Sequence, residues 1–424
     1  MNLWKAEQFR PTERENTHSE WLDRYPWLPI LFLILLPFLV ELPLLIFGLS
    51  TNPIWQQSGI VEGVRAGLLP GLSYGDPNVG WTTQALGHLA AEDWLHGVIP
   101  WWNPYSGIGL PLAGEMQPNA FFLPFVLLLL LHNGVLWLKI AMQIFAGLAT
   151  FALLHELKLG RLAALTGGAL YALNGTFAWM PGPVAVINTI PFLPLLLYGI
   201  ERARKERNRD GIIWIALAIS GSLYAGFPEA AYINGLLVLA WTIYRLIFED
   251  KKFRYLMRIM FGGATGLFLA APLLVAFSDY LLKTNAVSAH GLGDAHLPLQ
   301  ALSSIVLPYV YGPEADSLGS SFLSAIWGNL GGYASVILLI FALISYQIKE
   351  NRGLIYILSI WIVVALTKSF GAQPIMLLMN HIPFLHDAAF YRYSPPSWEM
   401  ALIILVSIAI DTIHRQKISF FSLY

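Results

Sequence analysis

Residues 28–49 read LPILFLILLPFLVELPLLIFGL, an apolar run long enough to cross ~30 Å of hydrocarbon as a helix. It follows a polar segment of mixed charge, residues 1–27. It is too long for the core of a signal peptide, and no small-residue cleavage site follows it, so it is expected to remain as an anchor. The same kind of run recurs along the chain. We read spans at 28–49, 135–156, 161–180, 184–200, 211–226, 229–247, 255–278, 329–347, 353–369 and 398–414. Helix is the expected state of each, because an open strand would leave backbone groups unpaired in lipid. The chain of 424 residues is 56% hydrophobic and 12% charged, which fits one all-α polytopic membrane protein rather than a series of soluble domains.

Orientation follows from lysine and arginine, which accumulate in short cytoplasmic loops. The basic residues cluster at Lys5/Arg10/Arg14/Arg24, Lys158/Arg161, 202–209, 245–258, Lys349/Arg352 and Arg415/Lys417. Ten spans put all of these on one side, with both termini cytoplasmic. The apolar segment Ala120 to Leu131 is too short to cross, and a crossing there would break that parity. It is expected to be a re-entrant or interfacial helix on the outer face. The resulting organisation is a cytoplasmic segment 1–27, one membrane domain 28–417 and a short tail 418–424. Three outer regions remain, 50–134, 279–328 and 370–397.

The first outer region holds Tyr74-Gly75-Asp76-Pro77 and Pro100-Trp101-Trp102-Asn103-Pro104, polar and aromatic chemistry that lipid would not tolerate. Net charge is −1 and there is no cysteine, which excludes disulfides, thiolate metal sites and cysteine nucleophiles and gives no footing for nucleic acid. No phosphate-binding loop, dinucleotide fingerprint, zinc-protease motif or nucleophile elbow occurs in a plausible context. The cytoplasmic side offers only short basic turns, so function is expected outside.

Pro100-Trp101-Trp102-Asn103-Pro104-Tyr105, then Gly109-Leu110-Pro111-Leu112, Gln117 and Phe121-Phe122-Leu123-Pro124, resemble the first-loop signature of the YfhO-type bacterial membrane proteins, GT-C-like glycosyltransferases. Gly75-Asp76, residues 167–175, Pro191-Phe192-Leu193-Pro194, Ala225-Gly226-Phe227-Pro228-Glu229, Ala270-Ala271-Pro272 and Arg392-Tyr393-Ser394 resemble further family segments in the same order. The first-loop match is the specific one; small residues and prolines are common in any bundle. Members of the family are often about twice as long, and Leu123 stands where relatives often have tyrosine. The resemblance implies a GT-C-like bundle of about ten transmembrane helices in a bacterial plasma (inner) membrane. It also implies inverting transfer of a sugar from a polyprenyl-phosphate donor to an envelope glycan or lipid acceptor, with a first-loop aspartate as general base.

Asp76 is the expected base, and Glu115 is expected to orient the acceptor or to share a divalent cation (Mg or Mn) with it through oxygen ligands. An aspartate before proline is also an ordinary turn initiator. Trp101, Trp102, Asn103 and Gln117 are expected to line the sugar site. The two tryptophans serve equally as interfacial anchors, and Asn103 as a loop-fixing amide. Arg392, with Lys283 second, is expected to hold the donor phosphate, the arginine fork suiting two oxygens. Their bland reading is a headgroup contact or an ion pair with Asp387 or Asp279. Gln84, His88, Glu92 and His96 form one stripe of a helix expected over about 81–95, with His88 and Glu92 as weak metal candidates against the alternative of a wet helix face. Glu41 within the first span is expected near its outer end or protonated, and Lys139 to reach the outer interface. Two rival readings are a transporter or flippase of lipid-linked glycan and a non-catalytic assembly subunit.

Overall fold

The computed structural model describes residues 22, 24–48, 79–179, 184–205, 210–284, 294–308, 310, 332–348 and 351–416. Among them α-helix dominates, with one antiparallel pair of two-residue strands. The helices are α1 Leu28–Val40, α2 Leu42–Phe47, α3 Ala85–Leu95, α4 Leu123–Leu128, α5 Gly134–Glu156, α6 Arg161–Ala172, α7 Gly175–Trp179, α8 Val184–Thr189, α9 Phe192–Ala203, α10 Asp210–Tyr224, α11 Pro228–Phe248, α12 Lys252–Leu269, α13 Ala271–Lys283, α14 Val336–Ser345, α15 Arg352–Ser369, α16 Gln373–Asn380, α17 Phe390–Tyr393 and α18 Pro395–Gln416. Proline opens many of them. Pro124, Pro228, Pro272 and Pro374 stand in first turns, where a missing N–H leaves nothing unsatisfied.

The protein is an all-α membrane protein. α5, α11, α15 and α18 are each long and apolar enough to cross a bilayer, and α12 with α13 forms a fifth candidate bent by 67°. Several expected spans are broken. The first is interrupted at Glu41, 161–180 is α6 plus α7 parted at Leu173 and Asn174, and 184–200 is α8 plus α9 parted at Ile190 and Pro191. Hydropathy averages across such breaks; tertiary hydrogen bonds hold them open. α4, expected not to cross, has six residues, too few to span, with Phe125 and Val126 buried.

α18 is the central pillar, 83% of its apolar window buried, packed on α6, α14 and α15. α5 packs on α6 and α9, α9 on α10, and α10 on α12, so these helices form one continuous layer that α6 joins to α18. At the α5–α6 contact Gly147 and Gly168 let the backbones nearly touch: a Cβ on Gly168 would lie 2.8 Å from the Gly147 carbonyl oxygen. Close approach of this kind supplies the dispersion that hydrophobicity cannot supply inside lipid.

One end of the bundle gathers the described basic clusters. Arg161 donates to the Leu22 carbonyl at 2.8 Å and Arg415 to the Lys158 carbonyl at 2.7 Å. Glu156 meets Lys205 at 2.6 Å, Arg204 meets Glu249 at 2.8 Å, and Arg258 donates to the carbonyls of Ala203 and Lys205. Gly353 lies against the Tyr244 ring at the same end. The shared side expected from charge is therefore a physical cluster of contacts, and the described chain enters and leaves the bundle there.

Candidate functional site

The opposite end brings together three segments far apart in sequence, with Ala225–Glu229 as their hub. Gly226 has φ +78°, and a Cβ on it would lie 2.3 Å from Asn119 Oδ1 and 2.6 Å from the Met116 carbonyl oxygen. Its neighbour Phe227 packs on Tyr393 with ring centroids 4.6 Å apart. Glu229, in the first turn of α11, accepts a short hydrogen bond from the Ala389 N–H. The Met116–Asn119 and Ala389–Tyr393 segments are thus both pinned to one tight turn. Gly226→Ala should destabilise the protein by about 1–3 kcal/mol, since left-handed strain and the clash act together; a tryptophan-fluorescence melt will show it as a lowered midpoint.

Glu115 lies on the first-loop side of this hub, beside α13: the Gly114 backbone packs on Ala276 and Tyr280, and the Glu115 charge acts on the Tyr280 phenol. Partial burial raises the Glu115 pKa above the ordinary glutamate value. Two residues on, Gln117 accepts from the Thr82 hydroxyl at 3.1 Å. Thr82 belongs to a π-helical turn, Val79–Gln84, that leads into α3. Asp76 lies outside the described residues, as does His290 of the second outer region.

The aromatic segment divides by role. Trp101 packs on Phe121 at 4.6 Å, and Phe121 stacks on Tyr224 at 6.3 Å. Trp102 sits over Gly109, whose φ is +99°. Asn103 is buried and spends its amide inside the turn, donating to Ser106 Oγ at 3.0 Å and accepting from the Tyr105 N–H at 2.9 Å. That is the loop-fixing reading.

Arg392 is half-buried with its guanidinium 5.6 Å from the Tyr393 ring centroid, and its charge and that of Glu229 both act on Tyr391. Asp387 pairs with His386 at 3.8 Å. Lys283 meets Asp279 one turn earlier at 2.9 Å, an exposed pair of the bland kind. His88 meets Glu92 at 3.4 Å on an exposed face, and His96 folds back onto the Glu92 carbonyl. Among the described residues no three His, Asp or Glu side chains gather where they could hold a metal.

Four charged groups escaped the sequence reading as partners. Glu41, expected near the outer end of its span or protonated, and Lys139, expected to reach the outer interface, bond to one another at 2.8 Å in a largely buried pair. Glu399, in the first turns of α18, accepts from the Thr176 hydroxyl at 2.7 Å and the Tyr333 N–H at 3.2 Å. Lys368, buried at the end of α15, donates to Asn380 at 2.6 Å, and Asn380 donates to Asp294 at 2.9 Å. The available signal was a lone charge within an apolar run.

Compared with known protein families and with curated proteins, the chain matches none.

Proposed function

We propose that the protein is a GT-C-type membrane glycosyltransferase that moves a sugar from a polyprenyl-phosphate donor to an envelope glycan or lipid acceptor on the outer face of a bacterial plasma membrane. The observation that carries this reading is the convergence on the turn at Gly226 of the segment that follows Glu115, Met116–Asn119, with Glu229 and the Tyr391–Arg392 segment, at the end of the bundle remote from the basic clusters. With α1/α2, α6/α7, α8/α9 and α12/α13 counted as single crossings, the bundle makes about ten passes and that end is outer. Outside the cell no nucleotide sugar is at hand, so the donor arrives on a lipid carrier.

In this reaction a carboxylate takes the acceptor hydroxyl proton while the oxygen attacks the anomeric carbon from the side opposite the carrier. The bond from that carbon to the phosphate oxygen breaks, and the polyprenyl phosphate leaves with the electron pair. Inversion in one displacement needs one base, assigned here to Asp76, and positive charge for the phosphate, assigned to Arg392. Glu115 orients the acceptor from beside α13. A divalent cation bound by Asp76 and Glu115 would supply further charge at the leaving phosphate.

Because burial raises the Glu115 pKa, its ionised form is lost as pH falls through a value higher than that of an ordinary glutamate. The acid limb of kcat/KM should therefore lie above pH 4.5 in the wild type and move when Glu115→Gln removes the group, a shift a pH–rate profile will detect.

A lipid-glycan transporter is the second reading, favoured by the 67° break between α12 and α13 and by Asn188 and Asn234, buried with unpartnered amides. The deciding experiment offers a panel of labelled undecaprenyl-phosphate sugars and candidate acceptors to protein in vesicles, with and without magnesium or manganese. Label found in a new glycosidic bond supports the transferase. Label that crosses the bilayer on an unchanged carrier overturns it in favour of transport, and binding without either leaves the assembly subunit.

A further inference from the structure

The hairpin at the outer end carries more apolar surface than a solvated loop would. No charged residue occurs from Gly97 to Gly114. β1 Trp102–Asn103 pairs antiparallel with β2 Leu110–Pro111, and the turn between them holds Tyr105, 82% exposed, and Ile108, fully exposed. Val98, Ile99, Trp102 and Leu110 are about half exposed. Charge-free apolar surface on this scale needs a cover.

The depth of the hairpin identifies that cover. α11 ends at Phe248 beside the basic end, and its 21 residues, ~31 Å at 1.5 Å per residue, match the thickness of the hydrocarbon core. Its first residue, Pro228, therefore stands at the opposite interface, with Tyr224 four positions before it. Tyr224 donates to the Leu269 carbonyl at 2.7 Å, Phe121 stacks on Tyr224, and Trp101 packs on Phe121. This chain of contacts holds the hairpin base at headgroup level. The adjoining bend is also apolar outside, with Phe268 and Val275 largely exposed, so the hairpin continues a lipid-facing surface. Tryptophan and tyrosine with aliphatic neighbours are the residues that favour this zone.

We propose that the hairpin is a membrane anchor: Tyr105 and Ile108 insert into the outer headgroup and acyl boundary of the bilayer and hold the first loop against its surface. The inference is independent of sugar transfer. It fixes Trp101, and with it the Glu115 segment, at the depth of lipid phosphates.

The absence of cysteine makes the test site-specific. Ile108→Cys, Tyr105→Cys and, as a water-exposed control at the basic end, Asp250→Cys are each labelled with a nitrobenzoxadiazole dye in nanodiscs of phosphatidylethanolamine and phosphatidylglycerol. The discs hold one protein copy, and nitroxide lipids of graded depth are the quenchers. The label at 108 is expected to be quenched at least twofold by shallow nitroxides and to be protected from iodide, which quenches the label at 250. Equal iodide quenching at 108 and 250 overturns the anchor. So does a label at 108 protected from iodide but unquenched by nitroxide at every depth, because the cover is then protein. The label at 105 repeats the reading should the change at 108 disturb the turn.

Discussion

Replacing Glu201 by alanine is expected to lower stability by about 3–5 kcal/mol, the range found when one partner of a buried ion pair is removed. Glu201 is 5% exposed near the end of α9, and its carboxylate joins three neighbours. One oxygen accepts from Trp241 Nε1 at 2.7 Å and Arg245 Nε at 2.6 Å, both on α11; the other accepts from Arg204 at 3.1 Å. Alanine would leave an indole N–H and a largely buried guanidinium without their acceptor. Arg204 retains Glu249, so the loss should fall towards the lower end of the range. Without cysteine a thiol-reactive dye reports nothing, and the measurement is a tryptophan-fluorescence melt in detergent, with an expected drop of roughly 5–10 °C. Glu201→Gln keeps an acceptor for Trp241 and should lose less. Arg245→Leu combined with Glu201→Leu should cost less than the sum of the two single changes, since it removes the stranded charge together with its partner. A strictly additive result would mean that the carboxylate and the guanidinium do not depend on one another.

How much of this could be read from the chain depends on the distance between partners. α5 and α15 begin and end within a residue of the expected spans because their signal is local, a continuous apolar run bounded by charge. The common side of the basic clusters was legible for the same reason. The break between α6 and α7 was not: it is held by Glu399, which meets Thr176 across 223 residues of sequence, and no window of hydropathy contains both. The Glu41–Lys139 pair, the Lys368–Asn380–Asp294 chain and the pinning of two distant segments at Gly226 are of that second kind. At the candidate site, the division of labour within the aromatic segment could not be read. Trp101 turns towards Phe121 and Tyr105 turns away, yet they stand four positions apart in one uncharged stretch.

Asp76→Asn is expected to reduce sugar transfer by roughly 10²–10⁴-fold while donor binding stays within a small factor of wild type, the usual contribution of a positioned general base. An acceptor hydroxyl is a poor nucleophile until its proton is taken, and an amide of the same shape cannot take it. What survives would come from positioning and from charge at the leaving phosphate, neither of which the substitution removes. The control for folding is an unchanged melting midpoint, and the control for site integrity is an unchanged KM for the donor. The outcome is informative because a second carboxylate is close to the chain that continues from Asp76. Thr82 bonds Gln117, two residues beyond Glu115, and burial raises the Glu115 pKa, which makes that carboxylate a stronger base than an ordinary glutamate. Should Asp76→Asn retain activity and Glu115→Gln lose it together with the acid limb of the pH profile, the base is Glu115 and Asp76 serves the turn before Pro77. Should both variants transfer sugar at the wild-type rate, proton removal does not limit the reaction, and the assignment of a first-loop base falls with it.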